Sequence, residues 1–399
     1  VLGSLINPRA AEADLLVAGF QELQPLLESV LAQESQDDNG HEMAVTARGL
    51  AKAAEILAVH FNLVATNVPY LGRGKQDNSL QEYCEKVHKE AKADLSTCFI
   101  ERCLGFCADQ GTAVIVSPQN WFFLGTYKKF RQLLFNSARW DLAVKLGPAA
   151  FQNMNFWAAK TGLSVLTRMP PESDSLITGF DVSETREPTG KGSLLLSSRA
   201  STVLQIRQLK NPDARLLLSE IDDLPLLEVH GTAFQGIATA DYPRFGRCFW
   251  ELPCCSRGWV FQQSTVEKND FYSGREHILH WEDGSGALAA SDQARIQGLE
   301  AVGKLGVAVS QMNQLPVTLF TGDYFDNNCS ALVVRDKSLL PAVWSYCSSR
   351  QFVDDIREID QKVSVTNSTL VKVPFDLKRW QEVASEKYPD GLPKPFSSD

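Results

Sequence analysis

The chain has 399 residues, room for two or more domains at about 100–200 residues each. Hydrophobic residues make up 44% and charged residues 22%, a globular composition, and no apolar run reaches the ~18 residues of a membrane span, so no transmembrane helix is expected. The formal net charge of −9 argues against a protein that is basic throughout and confines any nucleic-acid contact to a local patch.

The chain opens Val1-Leu2-Gly3-Ser4, without the basic region and apolar core of a secretory signal, and a cytoplasmic location is expected. Nine cysteines, an odd number in a long chain, argue against a disulfide framework. Cys98, Cys103 and Cys107 fall at helical spacing and read as small buried residues. His277 and His280 have no carboxylate or cysteine partner at ligand spacing, and no Cys-x-x-Cys pair occurs, so no metal site is expected.

In chain order, Leu16, Phe20, Leu23, Leu27, Val30 and Leu31 predict an amphipathic helix over 11–33. A polar loop comes next, and Leu50, Ala54 and Leu57 predict a second helix over 43–59. The apolar run Leu63 to Ala65 is then cut off by Asn67 and Pro69. Proline removes a backbone donor and disfavours helix in the residue before it, so a buried strand over 61–66 ends at a sharp polar turn. Ligands in open α/β sheets sit outside the carboxyl ends of strands, which is where Asn67 falls. Its side-chain oxygen can accept a hydrogen bond from an amine, the Val68 carbonyl ahead of Pro69 offers a second acceptor, and Tyr70 can stack on a flat ring. An ordinary strand end with a turn asparagine would read the same way. The adjoining Gly72-Arg73-Gly74-Lys75 is not a P-loop, because position 69 is proline and position 76 is glutamine. Nor is it a dinucleotide fingerprint, since position 77 is aspartate. It reads as a flexible loop whose Arg73 and Lys75 can meet a phosphate.

A helix over 92–107 is predicted to stop at Gly111, and the β-branched run 112–116 is a strand stopped by Ser117-Pro118. Thr126 is the expected cap of the next helix, with Lys128, Lys129 and Arg131 on its basic face. Further strands are expected over 141–146, closed by Gly147-Pro148 with Phe151 just beyond, and over 162–166. Strand and helix alternate as in a parallel α/β sheet. Residues 171–230 read as a connecting region. From Gly231 the character changes: ten aromatic residues stand within 231–285, most of them accountable as an aromatic β core. Arg244, Arg247 and Arg257 are the candidates there for phosphate or guanine contact. Strands are expected over 300–335 and a helix over 339–352.

Asn67-Val68-Pro69-Tyr70 resembles motif IV, Asn-Pro-Pro-Tyr, of the methyltransferases that modify adenine N6 in DNA, with Val68 replacing the first proline. Ala93-Asp94-Leu95 with Phe99 to Leu104 looks like motif V of the large adenine methyltransferases of restriction–modification and BREX-like phage defence. Ser117 to Trp121 is similar to their motif VI region and Leu146 to Phe151 to their motif VIII neighbourhood. Gly236 to Asp241 with Arg244-Phe245, and later Asp360 to Asp376, resemble the opening and close of their target-recognition region. The resemblance implies a partial Rossmann-like methyltransferase sheet followed by a mixed α+β target-recognition domain. It implies a helical segment over 1–60, the carboxyl-terminal half of a catalytic domain over 61–170, and target recognition over 231–399. It further implies S-adenosyl-L-methionine as cofactor and double-stranded DNA as partner, together with other defence-system subunits. Asn67, Val68, Pro69 and Tyr70 would hold the target base, and Phe151 would stack against it. No glycine-rich cofactor motif is identifiable in residues 1–60, so a fragment inactive by itself is expected. The same four-residue motif also serves enzymes that methylate glutamine side chains of proteins, and a non-catalytic DNA-binding specificity subunit is a third reading.

Overall fold

The computed structural model describes residues 2–8, 38–152, 160–219, 224–252 and 257–394. The helix expected over 11–33 lies outside them, as do 153–159 just after Phe151. The chain divides into two compact units, Val1–Glu220 and Ile221–Asp399.

The first unit is built on one sheet of six strands: β1 (Phe61–Asn67), β2 (Cys107–Pro118), β3 (Arg139–Gly147), β4 (Thr161–Thr167), β5 (Leu176–Asp181) and β6 (Ser201–Leu204). Their order is β1-β2-β4-β3-β5-β6. β1 pairs parallel with β2 and β3 parallel with β5, whereas β4 runs antiparallel to both β2 and β3. Thus β1, β2, β3 and β5 all point the same way, and their carboxyl ends gather along one edge of the sheet. The fold is mixed α/β. Among the described strands, β1 stands at the border of this sheet with β2 as its partner. Leu63 on it is 62% exposed.

The longer helices among the described residues of this unit are α1 (Asp38–Ala58), α2 (Asn78–Val87), α3 (Leu95–Phe106), α4 (Lys128–Ser137) and α5 (Pro188–Ser197). Asp77 caps α2 by accepting from the Leu80 amide, and Asp94 caps α3 by accepting from the Ser96 amide. Between α4 and the sheet lies an aromatic cluster. Trp121 meets Phe122 at 4.7 Å and Trp140 at 5.3 Å, and Phe135 meets Trp140 at 4.8 Å. Contacts of this kind each contribute about 0.5–1.5 kcal/mol beyond the area they bury.

Several expectations change here. The helix before β2 ends at Phe106, and Gly111 belongs to the strand. A Cβ on Gly111 would lie 2.8 Å from the Phe61 carbonyl oxygen, so the glycine serves close approach of β2 to β1 and does not stop a helix. Thr126 does not cap α4; a short 3-10 turn, Gly125–Tyr127, leads into that helix without a side-chain cap. Arg131, placed by sequence on a basic face, is fully buried. Residues 171–230 do more than connect, because Leu176–Asp181 and Ser201–Leu204 join the sheet. Scattered leucines hid these strands, which are short and lie toward the sheet's far side. The helix expected over 339–352 is two, Leu340–Cys347 and Arg350–Ile359, because Ser349 accepts from the Phe352 amide and starts a new helix.

The second unit holds two four-stranded sheets. One runs β13 (Tyr324–Phe325), β9 (Trp259–Gln263), β10 (His277–His280), β8 (Gly246–Cys248). The other runs β12 (Val317–Phe320), β11 (Gly306–Ser310), β14 (Cys329–Val334), β7 (Gly231–Gln235). Each packs on its own apolar cluster, Phe245, Leu279 and Trp281 under the first and Phe320, Phe325 and Ala331 under the second. The cysteines expected to be small buried residues are so: Cys98, Cys103 and Cys107 are buried free thiols, and burial pushes the Cys103 thiol up to about 12.

Arg131 is the polar keystone of the first unit. Its guanidinium donates to the carbonyls of Trp121 at 2.5 Å, Leu124 at 2.9 Å, Asp213 at 2.8 Å and Ala214 at 2.9 Å. It ties the segment after β2 to the segment after β6. Replacing it with methionine strands those carbonyls in an apolar core, where each unsatisfied polar group costs about 1–3 kcal/mol. Arg131→Met is expected to lower the unfolding free energy by about 3 kcal/mol or more, read from urea denaturation followed by tryptophan fluorescence; a change below about 1 kcal/mol would refute this role.

Candidate active site

The carboxyl end of β1 delivers Asn67 to solvent and buries the Val68 side chain. The Val68 amide donates to the Val116 carbonyl at 3.2 Å, so the turn leaves the sheet still attached to β2. Tyr70, 39% exposed, turns back, and its hydroxyl donates to Asn67 Oδ1 at 3.2 Å. Partial burial, aided by the negative charge of Asp94, holds the Tyr70 phenol above its ordinary range. It therefore stays protonated at neutral pH and keeps donating. Asn67, Val68, Pro69 and Tyr70 form one turn in which an amide oxygen and an aromatic ring stand side by side.

The segment from Leu71 to Gln81 is held by α3 and by its own glutamines. The Leu95 amide donates to the Leu71 carbonyl at 3.0 Å and the Arg73 amide to the Ala93 carbonyl at 3.1 Å. Gln76 Nε2 donates to the Leu71 carbonyl at 3.0 Å, and Gln81 Nε2 to the Arg73 carbonyl at 3.0 Å and the Gln76 carbonyl at 2.9 Å. Gly72-Arg73-Gly74-Lys75 is thus a pinned turn and not the flexible loop expected. Arg73 is bound to Glu85 at 2.8 Å, while Lys75 is exposed. Sequence reasoning missed Gln76, Gln81 and Asp94 as supports, because single glutamines and aspartates carry no spacing that marks a partner.

Phe151 stands two strands over from β2, in the loop beyond β3, and is 44% exposed. The loop begins with two residues in left-handed backbone, Gly147 at φ +70° and Ala149 at φ +50°. Asn67 and Gly147 therefore both lie at the carboxyl ends of strands that point the same way, and Phe151 follows four residues after Gly147. Arg244, Arg247 and Arg257 belong to the second unit. The Arg244 guanidinium lies over the Phe245 ring at 4.9 Å. Arg247 donates to the Gly246 carbonyl at 2.7 Å and Arg257 is exposed. Arg247 and Phe261 both register with Ile278, one from each side, which sets them in one row across the sheet. Among the described residues no group of three histidine, cysteine, aspartate or glutamate side chains could hold a metal ion, and no helix is long and apolar enough to cross a membrane.

Chemically, the turn can hold a hydrogen-bond donor in the plane of the Asn67 amide and a flat ring against Tyr70. It lies at the sheet border where α/β enzymes bind their ligands.

Residues 9–151 match the family model of the Eco57I restriction-modification methylases. Adenine-specific methyltransferase PglX of Lacticaseibacillus casei (strain Zhang) is 25% identical over 138 residues, which is 35% of this chain and 11% of that protein. Adenine-specific methyltransferase BrxX of Escherichia coli O9:H4 (strain HS) is 28% identical over 151 residues, 38% of this chain and 12% of that protein. The matched stretch is thus about a tenth of the length of either relative. Among solved structures, the Type IIL restriction-modification enzyme MmeI in complex with DNA superposes with a TM-score of 0.54 at 11% identity, over 86% of this chain and 51% of that one. The Asn67 turn lies within residues 9–151, the stretch that matches the Eco57I restriction-modification methylase model, and both relatives given above are named adenine-specific methyltransferases.

Proposed function

We propose that this chain supplies the target-base side of a site-specific DNA adenine-N6 methyltransferase that uses S-adenosylmethionine, working in a restriction–modification or phage-defence system. The observation that carries the reading is the Asn67–Tyr70 turn: an amide oxygen at the carboxyl end of a border strand with an aromatic ring beside it. An adenine amine sits inside the duplex stack, so the base must be flipped out to reach this turn. Asn67 Oδ1 has a second lone pair beyond the one engaged by Tyr70, and it accepts one amine hydrogen. The Val68 carbonyl accepts the other. Both acceptors then face the positive charge that grows on nitrogen, and Tyr70 stacks on the ring.

S-adenosylmethionine supplies the methyl group in this chemistry. Among the described residues no glycine-rich turn follows a strand beside β1. Residues 231–399 are proposed as the target-recognition domain, with Arg244, Arg247 and Arg257 toward phosphate or guanine; Arg73, bound to Glu85, is a weaker candidate than the exposed Lys75.

In the intact protein, Asn67→Ala is expected to abolish methyl transfer while DNA binding persists, since phosphate contacts lie elsewhere. Plasmid methylation within about tenfold of wild type would refute the assignment, a loss of that size being only ~1.4 kcal/mol of barrier. Tyr70→Phe should retain most activity, because stacking needs the ring, and Tyr70→Ala should weaken base capture by about 1–3 kcal/mol. Equal damage from Phe and Ala would show that the hydroxyl held on Asn67 is the working group. Exchanging residues 231–385 for the corresponding segment of a relative should move the methylated sequence to the relative's, read by single-molecule sequencing; an unchanged pattern would remove the recognition role.

A further inference from the structure

Among the described residues the aromatic side chains that are at least half exposed all fall between 249 and 261: Phe249 at 51%, Trp250 at 61% and Phe261 at 50%. They belong to the sheet β13-β9-β10-β8 and to the turn that leaves β8. Arg247 and Phe261 flank Ile278 in one row, and strands stand about 4.8 Å apart, so their backbones are roughly 10 Å apart on one face. The next row on that face holds Trp259 and His280, with ring centroids 4.8 Å apart. The opposite face turns Val260 and Leu279 into the apolar cluster with Phe245 and Trp281.

The turn after β8 is held firmly. The Cys248 amide donates to Glu251 Oε2 at 2.6 Å, and the Glu251 amide donates back to the Cys248 thiol. The Phe249 amide donates to the Glu276 carbonyl at 2.9 Å, which extends the pairing of β8 with β10 by one more step. On this turn the Phe249 and Trp250 rings meet edge to face, with centroids 5.0 Å apart. Arg244, Arg247 and Arg257 form no ion pair with a described residue. Of the acids in the same stretch, Glu251 is turned onto the Cys248 amide, while Asp241 and Glu276 are exposed. Arg247 thus precedes the two rings and Arg257 follows them, both free of a carboxylate. Flat apolar rings between guanidiniums match a ligand that offers flat apolar faces between phosphates, which is a base stack. A protein partner needs a wider apolar area than two rings on a three-residue turn provide.

We propose that Phe249 and Trp250 form a wedge: when the protein binds duplex DNA, the Trp250 indole, backed by Phe249, enters the stack at one base step while Arg247 holds a neighbouring phosphate. Insertion breaks one stacking contact, and a turn that is already fixed adds no ordering cost of its own. The inference rests on the reading of residues 231–399 as the target-recognition domain.

The test uses the intact protein and a duplex carrying its recognition sequence, found beforehand by single-molecule sequencing of methylated DNA. 2-Aminopurine replaces each base in turn except the target adenine, and in the wild type one step should brighten on binding as it unstacks. Trp250→Ala should abolish that rise and weaken binding by about 5- to 100-fold in fluorescence anisotropy, the scale of one ring lost from a base stack. The slope of log K against log salt should not change in that variant, whereas Arg247→Ala should reduce it by about one. Trp250→Phe should keep the rise. In Asn67→Ala the rise should also persist, which separates a wedge from the flipped base itself. A wild-type scan with no brightened step overturns the proposal without recourse to any variant. So does wild-type affinity in a folded Trp250→Ala protein, or a Trp250→Ala protein that keeps its DNA binding and loses self-association, which would make the turn a protein contact. Exchange of residues 231–385 with no change in the methylated sequence would instead overturn the recognition reading beneath it.

Discussion

Every buried peptide group needs a hydrogen-bond partner, and where parallel strands stop the ladder can no longer provide one. The carboxyl border of the first unit is arranged around that shortage. Gln119 takes the Gly147 amide, Lys191 takes the Leu146 carbonyl, and Arg131 takes the carbonyls of Trp121 and Leu124. Gln76 and Gln81 do the same for the turn after Tyr70. Long polar side chains can reach a peptide group that no strand faces, and they fix it more narrowly than water would. A border satisfied in this way is rigid, and rigidity is what a site needs if its acceptors are to meet an amine in one geometry.

The same constraint explains the contrast between the two ends of the site. Asn67 and Tyr70 are exposed and engage each other, so they are free to exchange that contact for a ligand. Behind them the Val68 side chain is buried, and Gln76 and Gln81 hold the carbonyls of the following turn. Replacing the first proline of the motif with Val68 costs little rigidity here, because the Val68 amide is anchored to Val116 and its side chain is buried. A proline would have had no amide to offer. The stiffness that proline brings through its ring is supplied by a hydrogen bond to the neighbouring strand.

Much of this was legible in the sequence. Periodicity and β-branched runs located β1 to β4, and Asn67 with Pro69 marked the strand end. The alternation of strand and helix gave the α/β class. Three kinds of feature were not legible. Arg131 looked like part of an exposed basic face because it comes just after Lys128 and Lys129; its burial depends on carbonyls at 213 and 214, far along the chain. Leu176–Asp181 and Ser201–Leu204 were passed over because a four- to six-residue strand leaves too little periodicity to count. The pinning glutamines were invisible for a general reason: a side chain that satisfies one distant peptide group has no local pattern. The antiparallel course of β4 was equally hidden, since hydrophobic spacing carries no direction.

That course has a kinetic side. β3 and β4 are adjacent in sequence, yet β4 lies between β2 and β3 in space. β3 therefore has no direct route to β2, and the sheet can be joined across its centre only by inserting a strand synthesised after both. The β3–β4 hairpin is local and can form by itself, whereas β2–β4 contact must close a loop of some forty residues, from Thr112–Pro118 to Thr161–Thr167. Assembly of the first unit would then run in a fixed order, hairpin before docking. Until β4 arrives, β2 exposes a bare margin, which makes this a stage at which a nascent molecule is open to pairing with the wrong neighbour.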